Sequence, residues 1–530
     1  MASDKSAAVT AHSRYETLTA HRRPYLMRAW DCAELTIPSL LPREGLNYTS
    51  ELPIPWQSVG ARCVNSLSSR LLLTMFPPNA PFFRFSLDEI LVKKHEAEVG
   101  EQQSQNLKTD LEKALGLVER SIMKDVEAKG DRVVAFEGLK HLVVTGNVLF
   151  FYTKTGLRLF HLHNYVVRRD PSGNVLEIIT VEKVAPDALP QEIRSVVNSY
   201  KSLKDSLAIP LYTHIVRRDG MMHYHQEACK QKIAGTQGSI PVEKCPWLPL
   251  RFVRIYGESY GRGYVEEYLG DFKSLEGLSK AIVEGAAAAA KVLFLVKPNG
   301  TTQLKTLQDS ENGDVEYGNA EDVTVLQAEK TNDFKTAKEE KMDIAARLAY
   351  AFLLNSAIQR DAERVTAEEI RYMAQELEST LGGLYSILSI EFQLPYVKVK
   401  MFQMEREKRL PALPKGVVTP TIITGLEALG RGNDRTKLLM FLKAGSEALT
   451  PEVMAQRINV GEALKRLATA DGIDADGLVY TDEQVNAASQ QQNRQGLIEK
   501  VAPNLVNKLG DVVTEGIANG RRGTAAAKTK

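Results

Sequence analysis

Cysteine is scarce in this 530-residue chain: Cys32, Cys63, Cys229 and Cys245 are too scattered for a CxxC pair or a zinc spacing. That excludes a disulfide-stapled scaffold and points to reduced, buried thiols. No charge dominates, with 67 basic against 66 acidic residues. A broad cationic surface for tight duplex binding is therefore not expected, although local arginines remain available. Long apolar runs are missing too. "VLFLV" at 292–296 is far too short to cross a bilayer, and the first 25 residues carry no apolar signal segment. A soluble protein of a cytoplasm is expected, with no membrane partner.

Catalytic signatures are also absent. The chain has no Walker A pattern, no GxGxxG and no HExxH. "GESYGRGY" (257–264) is glycine-rich but lacks the lysine of a phosphate cradle. His161 with His163, and His223 with His225, would each share a strand face. No carboxylate or cysteine supports either pair, so strand histidines are expected instead of a metal site. "GIDADGLVYTDE" (472–483) places Asp474, Asp476, Gly477 and Glu483 as a calcium loop would, but Gly472 stands where the first carboxylate belongs. A helix-linking turn is the better reading. No catalytic residue, metal or cofactor is expected. A large chain without an active-site constellation reads as a structural or assembly component, not an enzyme.

What is present is a mixed, mostly helical α+β pattern. Residues 55–76, 106–128 and 132–145 carry apolar positions at helical spacing. The period then shortens: "NVLFFY", "LRLFHL", "YVVRR" and "VLEIITV", separated by "KTG" and "DPSG", predict an antiparallel meander. "YTHIVRRDGMMHYH" (212–225) predicts a further hairpin. From Tyr264 a long helix is expected to run to Val296, about 50 Å at ~1.5 Å per residue. Pro298 to Gly300 break it, and strand and turn signals fill 301–330. A second long helix is expected from Phe334 to Gln359, and a third from Ala367 to Leu394, stopped by Pro395. Further helices fill the remainder up to a Gln/Asn/Ala-rich tail after Thr481.

Two features of the helical part stand out. Gly270, Ser274, Gly277, Ala281, Gly285 and Ala288 recur every three or four residues, which strips one helix face of bulk. Each glycine costs a helix about 1 kcal/mol relative to alanine, so close approach of another backbone must offset it. That backbone belongs either to the same subunit or to an identical helix beside it in a ring. The second feature is "QRDAERVTAEEIR" (359–371), where Gln359, Arg360 and Arg364 precede a capping box made by Thr366 and Glu369. Gly382-Gly383 lies inside the helix that follows, where a glycine pair allows a kink.

"GESYGRGYVEEYLGDFKSLEGLSKAIV" and "AYAFLLNSAIQRDAERVTAEEIRYMAQELESTLGGLYSILS" make the chain resemble the head-to-tail connector, or portal, proteins of autographivirus-type short-tailed bacteriophages. "PWQSVGARCVNSLSSRLLLTMFP", "FEGLKHLVVTGNVLFFY", "YVVRRDPSGNVL" and "TGLEALGRGNDRTKL" extend the likeness over about 15–480. The resemblance implies a portal fold of wing, stem, clip and crown, assembled as a ring, typically a homododecamer, around an axial channel at one capsid vertex. It implies a wing at 1–263, a first stem helix at 264–297, a clip at 298–333 and a second stem helix at 334–358. A tunnel loop follows at 359–366, a long wing helix at 367–409, a helical crown at 410–480 and a C-terminal tail at 481–530.

The implied role is passage of double-stranded DNA during packaging and ejection, without sequence specificity. The implied partners are copies of the chain itself, the terminase large subunit, a tail adaptor, the major capsid and scaffolding proteins, and internal core or ejection proteins. The implied location is the portal vertex of the virion, reached from the host cytoplasm. On this reading the small-residue face packs between subunits, and Gln359, Arg360 and Arg364 face the DNA. Local pairing of the arginines with Glu363 or Glu368 is the alternative. A helical oligomeric scaffold with no DNA role is the competing function.

Overall fold

The computed structural model describes residues 10–46, 50–77, 81–87, 101–191, 193–195, 208–289, 293–311, 313–315, 317–326, 331–354, 387–410, 418–422 and 433–448, with isolated positions 458, 461, 463, 464 and 467. The chain divides into two compact units, Met1–Leu426 and Glu427–Lys530. In the second unit the described structure is chiefly one helix, Asn433–Ala448.

The first unit mixes helix and sheet. Its helices, in chain order, are α1 (Ala11–Glu34), α2 (Val59–Met75), α3 (Glu101–Ala128), α4 (Asp131–Thr145), the single turn α5 (Tyr264–Glu267), α6 (Leu269–Ala289), α7 (Leu304–Asp309), α8 (Thr331–Ala351) and α9 (Leu394–Arg406). Its strands are β1 (Phe83–Leu87), β2 (Asn147–Thr153), β3 (Gly156–Phe160), β4 (Tyr165–Arg169), β5 (Val175–Val184), β6 (Ile209–Arg218), β7 (Met221–Ala228), β8 (Gln231–Lys232), β9 (Gly238–Pro241), β10 (Trp247–Arg251), β11 (Leu293–Val296), β12 (Val323–Leu326) and β13 (Val418–Ile422). Among the described residues every strand pairing is antiparallel.

The expected meander is split between two sheets. β2 and β3 join β10 in the order β10-β2-β3, whereas β4 and β5 open a larger sheet, β4-β5-β6-β7-β8, with β9 also on β7. The break falls at the 3-10 turn Leu162–Asn164. Buried Arg22 of α1 holds that turn by donating to the carbonyls of Leu162, His163 and Tyr165 at 2.7–3.0 Å.

α1 itself starts where Thr10 accepts from Ser13 N, and its first N–H is taken by Glu227 of β7 at 2.6 Å. α4 is buried on several sides, between α1, α2 and the β2/β3 pair. It ends at Gly146, whose φ of 73° is a left-handed C-cap that donates back to Leu142 O. The main core gathers apolar side chains from α1, α2, α4, α6, α8 and α9. Phe150 stacks on Phe392 at its centre (ring centroids 4.7 Å apart), and Phe76 and Tyr396 pack edge-on around them.

Four expectations are corrected. The helix from Tyr264 does not reach Val296: α6 ends at Ala289, and Leu293–Val296 pairs with Val323–Leu326. A short apolar run suits either state by its pattern, and here the strand partner decided. The second long helix ends at Ala351, not near Gln359. The chain turns there because Phe352 is drawn into a buried aromatic cluster, which leaves Leu353 at φ 55°.

Pro395 does not stop the third helix. A π turn, Ser389–Gln393, widens the spiral just before it, and α9 continues to Arg406. The wider turn relieves a proline that lacks an N–H, and the continuation buries Tyr396, Val397, Val399, Lys400 and Met404.

His161 and His163 also differ from the strand-face reading, whereas His223 and His225, two residues apart on β7, share a face as expected. His163 sits in the 3-10 turn and His161 just before it; His161 stacks on His141 of α4, and His163 meets His161 edge-on. His223 faces Val216, while His225 meets His214 across β6 and β7. Among the described residues, no group of three or more metal-ligating side chains is positioned to hold an ion. The near-calcium loop at 472–483 lies outside the described residues.

Candidate functional site

α6 and α8 form an antiparallel-running pair that leaves the core at one end and carries the β11–β12 hairpin near the other. The base of the pair is aromatic. Tyr264, Tyr268 and Phe272 close around Phe352 with ring centroids 4.9–5.7 Å apart, all edge-on. Tyr264 donates to Ala351 O at 3.2 Å, and burial pushes its hydroxyl well above the usual tyrosine range. Leu275, Ile344 and Leu348 complete the buried contact. Arg347 reaches Asp271 at 3.3 Å across the pair, and Glu276 accepts from Trp56 N at 2.8 Å. Beyond Ser279 the first helix is largely exposed, with the run Gly285 to Ala288 near its end.

The small-residue face is resolved by this geometry. Each residue advances about 100° around a helix, so Gly270, Ser274, Gly277, Ala281 and Ala288 share one side of α6. Phe272, Leu275 and Ser279, its buried residues, occupy roughly the opposite side. Ser274, Ala281 and Ala288 are exposed, and a Cβ added at Gly270 or Gly277 would meet nothing within 4 Å. Gly285 lies on the rim of this face and is filled from within the chain, since a Cβ there would stand 2.3 Å from Phe334 Cε1. Within a single chain, then, the face divides. One glycine admits a neighbouring ring, and the other two have no neighbour.

The hairpin tip has its own frame. Asp322 Oδ2 accepts from Thr301 N at 2.7 Å, Thr301 Oγ1 at 3.1 Å and Thr302 N at 3.3 Å. Lys297 N donates to Asp322 O at 2.9 Å, which closes the end of the strand pair. Around this frame Phe294, Leu295, Leu304, Val315 and Tyr317 are all more than half exposed. The strand and turn signals expected over 301–330 gave no warning of these exposed apolar side chains. The alternation of apolar residues with "ENGD" and "GNAED" was the signal available.

Gln359, Arg360, Arg364, Thr366, Glu369, Gly382 and Gly383 all lie outside the described residues. No helix among the described residues is long and apolar enough to cross a membrane.

A family model described as "Bacteriophage head to tail connecting protein" matches residues 8–479. The chain is 44% identical to the portal protein of Escherichia phage T7 over 92% of its own length and 91% of that protein. It is likewise 44% identical to the portal protein of Enterobacteria phage T3, over 93% and 92% of the two chains. For the portal protein of Enterobacteria phage SP6 the identity is 33%, over 84% of each. With near-complete coverage on both sides, the chain belongs to the bacteriophage head to tail connecting protein family, and its function is that of a portal protein.

Proposed function

We propose that this portal protein works as a ring of identical subunits at one capsid vertex, with double-stranded DNA passing along the ring axis. α6 and α8 act as the two stem helices, and the hairpin with its turns, 298–333, acts as the clip that docks the packaging motor and then the tail. The observation that carries this reading is the open side of α6: Gly270, Ser274, Gly277, Ala281 and Ala288 face away from the chain's own core. A helix that gives up about 1 kcal/mol per glycine for a bare, unfilled face is explained by a neighbouring backbone that the single chain does not supply. Contacts of that kind between unlike faces close into a ring when the rotation from one subunit to the next closes.

In the same reading Arg360 and Arg364 project toward the DNA and meet phosphates with no sequence preference. Arginine suits that role because it stays charged and matches phosphate geometry. Assembly in the host cytoplasm, with capsid, scaffolding and internal core proteins as partners, completes the proposal. Gly277→Leu tests it. The isolated subunit has open space at this position, so it should fold with normal helix content. Overpacking against a neighbouring helix costs about 1–3 kcal/mol per site and recurs at every interface, so the variant should elute as monomer or open oligomer. Intact rings with Leu at this position would take α6 out of the interface.

A further inference from the structure

Arg169, Arg251 and Arg254 converge beneath the π turn with a single carboxylate, Glu391, among them. The loop that carries Gly173 brings them together. Its φ of 91° is a left-handed conformation, and a Cβ there would stand 2.5 Å from Arg254 Nη2 and 3.0 Å from Arg251 Nη2. Two guanidinium ends therefore share the space above one backbone position.

Much of their donor capacity goes to backbone carbonyls. Arg169 donates to Ser259, Gly173 and Pro249 at 2.6–3.2 Å, Arg254 to Ser172 at 2.5 Å and Arg251 to Glu258 at 3.1 Å. Carbonyls satisfy hydrogen bonds but carry no net charge. Glu391 Oε1 lies 3.5 Å from Arg254 Nη1 and 3.9 Å from Arg251 Nη2, both longer than the ~2.7–2.9 Å of a well-made charged hydrogen bond. Nε and Nη2 of Arg251 make no hydrogen bond, although the residue is 2% exposed.

Three cations thus face one carboxylate, and a guanidinium that has left water keeps two donor nitrogens unused. Both conditions are costly unless an anion supplies the missing acceptors and charge. Burial first, and then the neighbouring Arg251, hold Arg169 down to about 10, the direction expected for an under-neutralised cluster. Arg254 is about two-fifths exposed, so the cluster opens to solvent on its side.

We infer that Arg169, Arg251 and Arg254 form a binding site for a phosphate-type oxyanion, for which Glu391 is the resident competitor. A tetrahedral oxyanion accepts from two guanidinium forks at once, which a carboxylate tethered to the π turn does not. The phosphate comes either from free inorganic phosphate or from a nucleic-acid backbone.

The experiment is equilibrium binding of inorganic phosphate to the full-length protein, by calorimetry in a phosphate-free buffer. Saturable binding near one ion per subunit is expected. Arg254→Gln should weaken it about tenfold, through loss of one charged fork. Glu391→Gln should tighten it, because the competing carboxylate is gone while its shape remains. Near-normal thermal unfolding of both variants would verify that the fold is intact. A short DNA duplex that displaces phosphate from the wild type identifies a backbone phosphate as the source, and failure to displace identifies the free ion. Absence of saturable phosphate binding, or equal affinity in Arg254→Gln, would overturn the assignment.

Discussion

Lys400→Met is the sharpest single test of how the long helix is fixed to the body of the protein. Lys400 is wholly buried, and its Nζ lies 2.9 Å from Asp131 Oδ2 and 3.1 Å from Asp125 Oδ2. The two carboxylates come from α4 and α3, so one ammonium ties three helices. Without it they fare differently. Asp125 keeps Lys129 at 3.2 Å and Arg409 at 2.5 Å. Asp131 keeps the Tyr396 hydroxyl at 2.5 Å and Leu157 N at 2.8 Å, both neutral donors.

Removing one partner of a buried ion pair costs about 3–5 kcal/mol, and the donors left to Asp131 put this case near ~3 kcal/mol. Unfolding entropy near ~2.1 cal/mol/K per residue turns that into a fall of about 3 °C in the midpoint, if Met1–Leu426 melts as one unit. Asp131→Asn in the same background should recover part of the loss, because an amide needs no counter-charge.

Acid should act on the same cluster. Burial pushes Asp125 up, but hydrogen bonds from Arg409, Lys400 and Lys129 prevail and hold it down to about 2, against 3.8 unperturbed. A carboxylate depressed in the fold contributes stability that is complete above its unfolded value and fades as pH falls from about 4 toward 2. In Lys400→Met, Asp125 is held down less, so this acid loss should be smaller and complete at a higher pH. The assay is the thermal midpoint by circular dichroism across pH. An unchanged midpoint at pH 7 would mean that the buried ammonium contributes no net stability, and the ion-pair reasoning would fail.

Further outcomes are expected elsewhere. Burial lowers His141 to about 3 and His163 to about 4, so the fold should lose stability as pH drops from about 6.5 toward those values; His141→Met should flatten that slope in the same melts. Gly285→Ala should lower the midpoint, because its Cβ meets Phe334 at 2.3 Å, whereas Gly270→Ala should raise that of the isolated subunit, since it adds up to about 1 kcal/mol of helix propensity. Arg364→Ala should leave rings intact but shorten the packaged genome, and the double change of Arg360 and Arg364 to Glu should shorten it further; full-length genomes in the double variant would assign these arginines to protein contacts instead.

The sequence by itself determined the family, because long collinear stretches from "PWQSVG" to "GRGNDRTKL" carry it, and the family model matches residues 8–479. It also determined helices with a sustained period, such as Val59–Met75, where a buried stripe repeats over several turns. Tertiary structure decided what short-range pattern leaves open. "LFLV" became a strand because Val323–Leu326 was there to pair with it, and Pro395 passed through a helix because a π turn precedes it. Gly277 and Gly285 are alike in sequence, yet Phe334, some 50 residues further on, fills one and leaves the other open. Lys400 with Asp125 and Asp131, and Arg251 with Arg169 and Glu391, are likewise joined across separations that no local spacing encodes. The physical reason is common to all of these. Periodicity reports which side of an element is buried, but what covers that side is set only when distant segments pack and must satisfy each other's charge, donors and volume.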